Sequence, residues 1–342
     1  MKEALFYEKS GEGKVDCTLC GQRCKNISEG RTGFCRVRKN ISGKLYSLVY
    51  GKAASASVDP IEKKPLFHFA PGSECLSVAT VGCNFRCMHC QNAGISQDYG
   101  KIEGEDLAPE RIVEMAKENG VSGIAYTYTE PTIFYEYALD TMKLARKAGL
   151  YNVWVSNGYT SPPAIKHMAK YLDAVNVDIK GNDAFYRKIC MAPGIRPVHE
   201  ALKAYRENDV WVEVTNLVIP GYNDNEKEIA SMVKWVAKNL GKDTPLHFSA
   251  FFPQHRLEDA SPTPPETLDK CYEKAKKSGM DYVYTGNLSS GHESTLCPKC
   301  GETVIERKGH SVSSFREKCA SCDTKITIEG RKWTQGTDNK FK

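Results

Sequence analysis

The chain has 342 residues, with 47 Lys and Arg against 42 Asp and Glu, for a formal net charge of +5. The charge is spread without a long basic run, so it names no partner, and the scarcity of interleaved aromatic and basic residues argues against nucleic acid. No apolar stretch approaches the roughly 18 residues of a membrane helix, and the opening MKEALFYEKSGEGK lacks the apolar core of a secretory signal, so a cytoplasmic protein without a membrane partner is expected.

Fourteen cysteines stand out. At short spacings in a cytosolic chain they point to metals or clusters rather than disulfides. Residues 1–50 carry Cys17, Cys20, Cys24 and Cys35, spaced x2, x3 and x10. Four thiolates could hold zinc, stapling a segment with few apolar residues, or a second iron–sulfur cluster relaying electrons. Cys75, Cys190 and Cys271 lie outside the clusters and read as small buried hydrophobes. The stretch EKKPLFHF, with Lys64 and His68, reads as a solvated linker.

From there to residue 290 strand-like and helix-like segments alternate. CLSVATV (75–81), SGIAYTYT (122–129), YNVWVSN (151–157), DAVNVDI (173–179), DVWVEVTNLVI (209–219) and LHFSAFF (246–252) read as strands one to six, with DYVYTG (281–286) a candidate seventh. Their near-continuous apolar runs fit a parallel sheet covered on both faces. Between them, NEKEIASMVKWVAKNLG repeats apolar residues at helical spacing, and TSPPAIKHMAKYL offers Ser161 as N-cap before Pro162. Six βα units predict an α/β fold, a partial (βα)6-type barrel spanning 51–290, with chemistry at the C-terminal strand ends.

Directly after the first strand, VGCNFRCMHCQN (81–92) spaces Cys83, Cys87 and Cys90 as C-x3-C-x2-C. Three thiolates can hold three irons of a [4Fe–4S] cube and leave the fourth open to an exchangeable ligand. A zinc knuckle borrowing a distant ligand is the alternative.

This motif after the first strand of a βα barrel resembles the radical SAM superfamily, with His89 where that family usually has an aromatic residue. The resemblance implies a [4Fe–4S] cluster on Cys83, Cys87 and Cys90 and S-adenosylmethionine (SAM) on the open iron. It implies reductive cleavage to a 5′-deoxyadenosyl radical that abstracts hydrogen from a substrate. YTEP, Tyr128, Thr129, Glu130 and Pro131, stands where the family carries a Gly-Gly-Glu-Pro turn that receives the SAM amino group. Glu130-Pro131 alone also reads as a helix start. SNG, with Ser156 and Asn157, resembles the TNG of glycyl-radical-enzyme activases, and Asp178 and Lys180 resemble their D-x-K near the SAM carboxylate. A surface salt bridge is the plain alternative for that pair. LVIPGYND (217–224) and FFPQH, which carries His255 toward the mouth, resemble activase segments, and Glu213 stands where activases often have arginine. Tyr128, Thr129, Glu130, Ser156, Asn157, Asp178, Lys180, Glu213 and His255 are therefore the expected cofactor contacts. No catalytic side chain is assigned. Through the N-terminal CTLCGQRCKNISEGRTGFCRVRKNISGKLYSLVYG followed by DPIEKKPLFHFAPG, and over nearly its whole length, the chain resembles the radical SAM member of the AmmeMemoRadiSam system, related to pyruvate formate-lyase activating enzyme.

Near the end, CPKCG and CASCD place Cys297, Cys300, Cys319 and Cys322 as two C-x2-C hooks, a zinc ribbon over 291–330 with iron an alternative on the same ligands. Residues 331–342 read as a disordered tail. The activase-like elements favour a protein substrate, served by an electron donor such as a ferredoxin or flavodoxin. The altered turn and Glu213 motivate a small-molecule or lipid substrate instead. A non-enzymatic zinc protein is the third reading.

Overall fold

In a computed structural model, which describes residues 1–288 and 291–334, seven parallel strands run side by side in chain order. They are β1 (Glu74–Ala79), β2 (Gly123–Tyr126), β3 (Tyr151–Ser156), β4 (Ala174–Asp178), β5 (Trp211–Val218), β6 (Leu246–Ala250) and β7 (Val283–Gly286). Each expected strand is present, trimmed at its ends where the apolar run continues into a loop. The seventh is a full member, paired with β6 from Leu246↔Val283 to Ser249↔Gly286. Register keeps the strand ends level: Tyr126 pairs with Val78 and with Trp154, and Asp178 with Thr215. The loops that follow therefore emerge on one rim.

An eighth strand, Ser55–Pro60, pairs antiparallel with β1. The sequence reading missed it because SASVDP carries Val58 as its one large apolar side chain, with little alternation to betray a strand. The sheet order ends at this strand on one side and at β7 on the other, so among the described residues the barrel is open. Helices α1 (Pro109–Glu118), α2 (Tyr135–Lys147), α3 (Pro162–Met168), α4 (Arg196–Glu207), α5 (Glu226–Asn239) and α6 (Pro265–Lys277) alternate with the strands. Ser161 occupies the N-cap of α3, but its hydroxyl makes no capping bond. No described helix is long and apolar enough to cross a membrane.

The stretch read as a solvated linker is neither solvated nor a linker. Lys64 is 2% and His68 0% exposed. Phe67 and His68 donate their backbone N–H groups to Glu213 at 2.9 and 2.7 Å, and Lys64 pairs with Asp59 at 2.8 Å. Charged residues this deep need partners, and these come from strands that the local sequence cannot reveal.

Both cysteine-rich ends are welded to the barrel. The N-terminal segment forms two small sheets, and Arg38 makes a bidentate buried ion pair with Glu136 of α2 at 2.7 and 2.8 Å. At the other end, the hairpin Thr303–Lys308 and Ser311–Phe315 packs Val304, Ile305, Ile326 and Ile328 against Phe67, Tyr282 and Tyr284. The ribbon thereby shares an apolar cluster with the β7 end of the sheet. Arg331–Trp333, expected in a disordered tail, is a short 3-10 turn whose Trp333 ring meets Tyr151 and Phe69. Residues 335–342 of that tail lie outside the described residues.

Arg307 anchors the ribbon. It donates to Phe67 O at 2.6 Å and Thr295 Oγ1 at 2.8 Å, and it pairs with buried Glu62 at 3.5 Å. Arg307→Ala strands the Glu62 carboxylate. Breaking a buried pair costs about 3–5 kcal/mol, so the variant should melt earlier, with faster amide exchange across the ribbon. Unchanged exchange there would show that the apolar contacts alone hold it.

Candidate active site

The rim of strand ends surrounds a cleft of about 600 Å³, within the roughly 300–1,000 Å³ of small-molecule sites. Cys83, Cys87 and Cys90 line it together with Tyr128, Thr129, Glu130, Ser156, Asn157, Asp178 and Lys180. Residues from four successive strand ends thus converge on one space.

The cysteine loop is pinned on both sides. Arg86 N–H donates to Cys190 O at 3.0 Å and Met88 N–H to Ile189 O at 2.9 Å. The Phe85 N–H points to Cys83 Sγ at 3.4 Å, and Ser96 Oγ lies 3.1 Å from Cys90 Sγ. Burial pushes the Cys83 thiol well up, and a hydrogen bond with Cys190, then burial, does the same for Cys87. Metal binding would have to release these protons. Cys190, read as a buried hydrophobe, is fully buried behind Cys87 and does not line the cleft. Burial and nearby Lys180 pull His89 down to about 3, so this residue between two thiols is neutral, with its Nδ1 buried and unpartnered.

Glu130 ties two strand ends together. Its carboxylate accepts from Thr132 N at 3.1 Å, Ser156 Oγ at 2.9 Å and Asn157 N at 2.7 Å. It is also the N-cap of the 3-10 turn Pro131–Phe134, so the helix-start reading and the site reading describe one residue. Burial raises its pKa against these donors. Gly158 completes the SNG turn at φ +77°, where a Cβ would come within 2.8 Å of Val177 and Val198.

Asp178 and Lys180 form an ion pair at 2.6 Å inside the cleft, not on a solvated rim. Burial alone would lower the Lys180 pKa, but Asp178 and the neighbouring Cys87 raise it well above the usual lysine value. The ammonium is therefore fixed and charged.

Two expected contacts stand elsewhere. Glu213 is fully buried and does not line the cleft. Phe67 N, His68 N, Trp211 Nε1 and His247 Nε2 surround its carboxylate. His255 sits beside Asp98 at 3.8 Å, away from the cleft lining. Its backbone is left-handed at φ +54°. Residues the sequence did not flag are Asp59, Asn84 and Asn92. Asn92 Nδ2 donates to Tyr128 O at 2.7 Å, and Asn84 Oδ1 accepts from Asn157 Nδ2 at 2.7 Å.

The C-terminal sulfurs of Cys297, Cys300, Cys319 and Cys322 all lie within 4.8 Å of one another. Cys297 and Cys322 are 3.5 Å apart, Cys300 and Cys319 3.3 Å. A tetrahedral ion with bonds of about 2.3 Å to sulfur needs such a spacing. Cys17, Cys20, Cys24 and Cys35 line a separate small pocket.

A family model described as the radical SAM superfamily matches residues 77–236. An uncharacterised protein of Methanocaldococcus jannaschii is 46% identical over 336 residues, covering 96% of this chain and 99% of its own. The chain belongs to the radical SAM superfamily. The 4-hydroxyphenylacetate decarboxylase activating enzyme of Clostridium scatologenes is 23% identical over 57% of this chain and 61% of its own. The structure of Streptococcus suis SuiB bound to precursor peptide SuiA shares the fold, at a TM-score of 0.50 and 12% identity over 67% of this chain and 52% of that one.

Membership makes this protein an enzyme and implies a [4Fe–4S] cluster and SAM as its cofactors. The cleft fits them: three thiols on one loop, the fixed Lys180 ammonium near Cys87, and the unpartnered Nδ1 of His89 on the same loop. It also explains the altered radical SAM turn. Tyr128 stands at the first glycine of Gly-Gly-Glu-Pro and adopts glycine's left-handed backbone at φ +63°. That conformation costs a non-glycine residue about 1–2 kcal/mol. The cost is met by Asn92 on its carbonyl and by its hydroxyl, which donates to Asp59. Tyr128→Phe removes the hydroxyl bond to a charged acceptor, worth about 1.5–3 kcal/mol. We expect a lower melting temperature and weaker SAM binding. Unchanged values for both would show that Asn92 alone holds the turn.

Proposed function

We propose that Cys83, Cys87 and Cys90 hold a [4Fe–4S] cluster whose open iron binds SAM, and that this enzyme abstracts hydrogen from a protein substrate. With SAM bound, the cluster supplies one electron to the sulfonium, breaking a C–S bond to release methionine and a 5′-deoxyadenosyl radical. The observation that carries the reading is the meeting of these three thiols with Glu130, Asn157, Asp178 and Lys180 in one cleft at the strand ends.

The chain's own residues bind and orient. Tyr128 and Thr129 line the cleft, and their backbone is read as acceptor for the SAM amino group, with Asn92 holding the Tyr128 carbonyl. Lys180 offers a compact charge to the SAM carboxylate, and Asp178 aims it. The similarity to a decarboxylase activating enzyme supports a protein substrate. The N-terminal match supports placement beside the AmmeMemoRadiSam radical SAM member. A ferredoxin or flavodoxin is the proposed electron donor. The C-terminal hooks are read as a structural zinc site, on the spacing of their sulfurs.

A small-molecule substrate is the second reading, favoured by His310, at the tip of the ribbon hairpin, which borders the cleft and narrows the approach of a folded partner.

Purified without oxygen and reduced, the protein should cleave SAM to 5′-deoxyadenosine. Alanine at Cys83, Cys87 or Cys90 should abolish cleavage, because a cube on two thiolates is labile; activity persisting in all three variants overturns the proposal. Lys180→Met should leave the iron content unchanged and weaken SAM binding by about 1.5–3 kcal/mol, the worth of a charge-assisted hydrogen bond. Full affinity in both Lys180→Met and Asp178→Asn would reduce the pair to a structural ion pair.

A further inference from the structure

We propose that Cys17, Cys20, Cys24 and Cys35 hold a second iron–sulfur cluster, which passes electrons to the one on Cys83, Cys87 and Cys90. The inference rests on the reading of that catalytic cluster given above.

Sequence alone left zinc and a cluster open, and zinc drew its case from a segment thought too poor in apolar residues to fold unaided. The structure removes that need. Val15, Leu19, Val37, Leu45 and Val49 are 0–1% exposed and belong to the main core. The buried Arg38–Glu136 pair fixes the segment to α2. A metal staple has little left to stabilise here.

The shape of the site also differs from the C-terminal one. Among the described residues, Cys297, Cys300, Cys319 and Cys322 are the set whose sulfurs gather around a single point. The four N-terminal cysteines instead line the walls of a pocket, with Arg38 and Asn84 among them. In a cube each thiolate bonds a different iron at a different corner, so its four sulfurs need not close on one point. The Phe34 N–H reaches Cys24 Sγ at 3.3 Å. Arg38 lies close enough to Cys17 and Cys35 to feel their charge, with its Nε buried and unpartnered. Amide donors and a buried cation are the levers by which a protein sets a cluster's potential.

Position decides between the metals. Asn84 is the wall between the two cysteine sets. Its Oδ1 is 3.9 Å from Cys83 Sγ, and its backbone carbonyl accepts from Gln22 Nε2, two residues after Cys20, at 2.7 Å. Asn84 lines the N-terminal pocket, while its chain neighbours Cys83 and Phe85 line the cleft. Zinc has no redox chemistry to use at such a place; a cluster does. The far side of the pocket reaches the surface at Phe34, which is 39% exposed. One electron from a reduced iron–sulfur or flavin protein would arrive there, reduce the N-terminal cluster from its 2+ to its 1+ state, and move on to reduce the catalytic cluster likewise.

The test uses the full chain without oxygen. In the triple variant Cys83→Ala, Cys87→Ala, Cys90→Ala, about four iron and four sulfide per chain should remain, with one zinc, and reduction should give a paramagnetic signal. A triple variant without iron but with two zinc ions overturns the inference, while iron-dependent SAM cleavage by the wild type would leave the proposed function standing. A wild type without iron overturns both. In Cys24→Ser, cleavage driven by dithionite, a small reductant that reaches the cleft directly, should persist, and cleavage driven by reduced flavodoxin should be lost. Equal loss with both reductants overturns the relay.

Discussion

The buried carboxylate of Glu213 is the constraint on which the arrangement of this molecule turns. It sits on β5 with no exposure, and four donors from three parts of the chain converge on it. Burial alone would raise its pKa, but His247, His68 and the backbone of Phe67 outweigh that and hold it below the usual glutamate value. An ion in this position is costly unless every lone pair is occupied. Satisfying it drags residues 67 and 68 into the open barrel. Once there, Phe67 O receives Arg307, His68 exchanges with Thr327 and Tyr284, and Glu329 bonds to both His68 and Ala70. One carboxylate thus sets the position of an internal segment, and that segment sets the position of the ribbon.

This chain of dependence explains what was legible in the sequence. The parallel strands could be read because their apolar runs are local properties, and the cysteine hooks because their spacing is. Glu213 could not be placed, since an acidic residue in DVWVEVTNLVI looks the same whether it faces a cleft or a saturated cage. Lys64 and His68 read as solvent-facing for a similar reason: their partners Asp59, Tyr284 and Thr327 are set by tertiary packing. Trp333 was assigned to a tail because its neighbours are polar, yet its ring rests on Tyr151, more than a hundred residues away in sequence.

Departures from the family motif follow physical rules once the neighbours are known. The turn after β2 needs a left-handed residue, and glycine is its cheapest occupant. Tyrosine there can be held by bonds glycine cannot make, and Asp59 and Asn92 make them. Asp59 also receives Lys63, Lys64 and Ser77, so the turn after β2 is joined to the segment leading to Glu213. His89 replaces an aromatic residue with a ring that burial keeps uncharged, so its replacement adds no cation beside the thiols.

The three cysteine sets then differ by surroundings more than by number of thiols. The C-terminal sulfurs close on one another beside a hairpin that packs against Tyr282 and Tyr284, and a closed tetrahedron suits a structural ion. The set in the cleft has three thiols on one loop, facing Lys180 and the Glu130 turn, which suits a cluster with an open position. The N-terminal set shares Asn84 with the cleft and meets the surface at Phe34. Binding a metal elsewhere would not require that shared wall. The proposed passage of an electron from solvent to the cleft would use it, and the Arg38–Glu136 pair fixes the segment that carries those thiols.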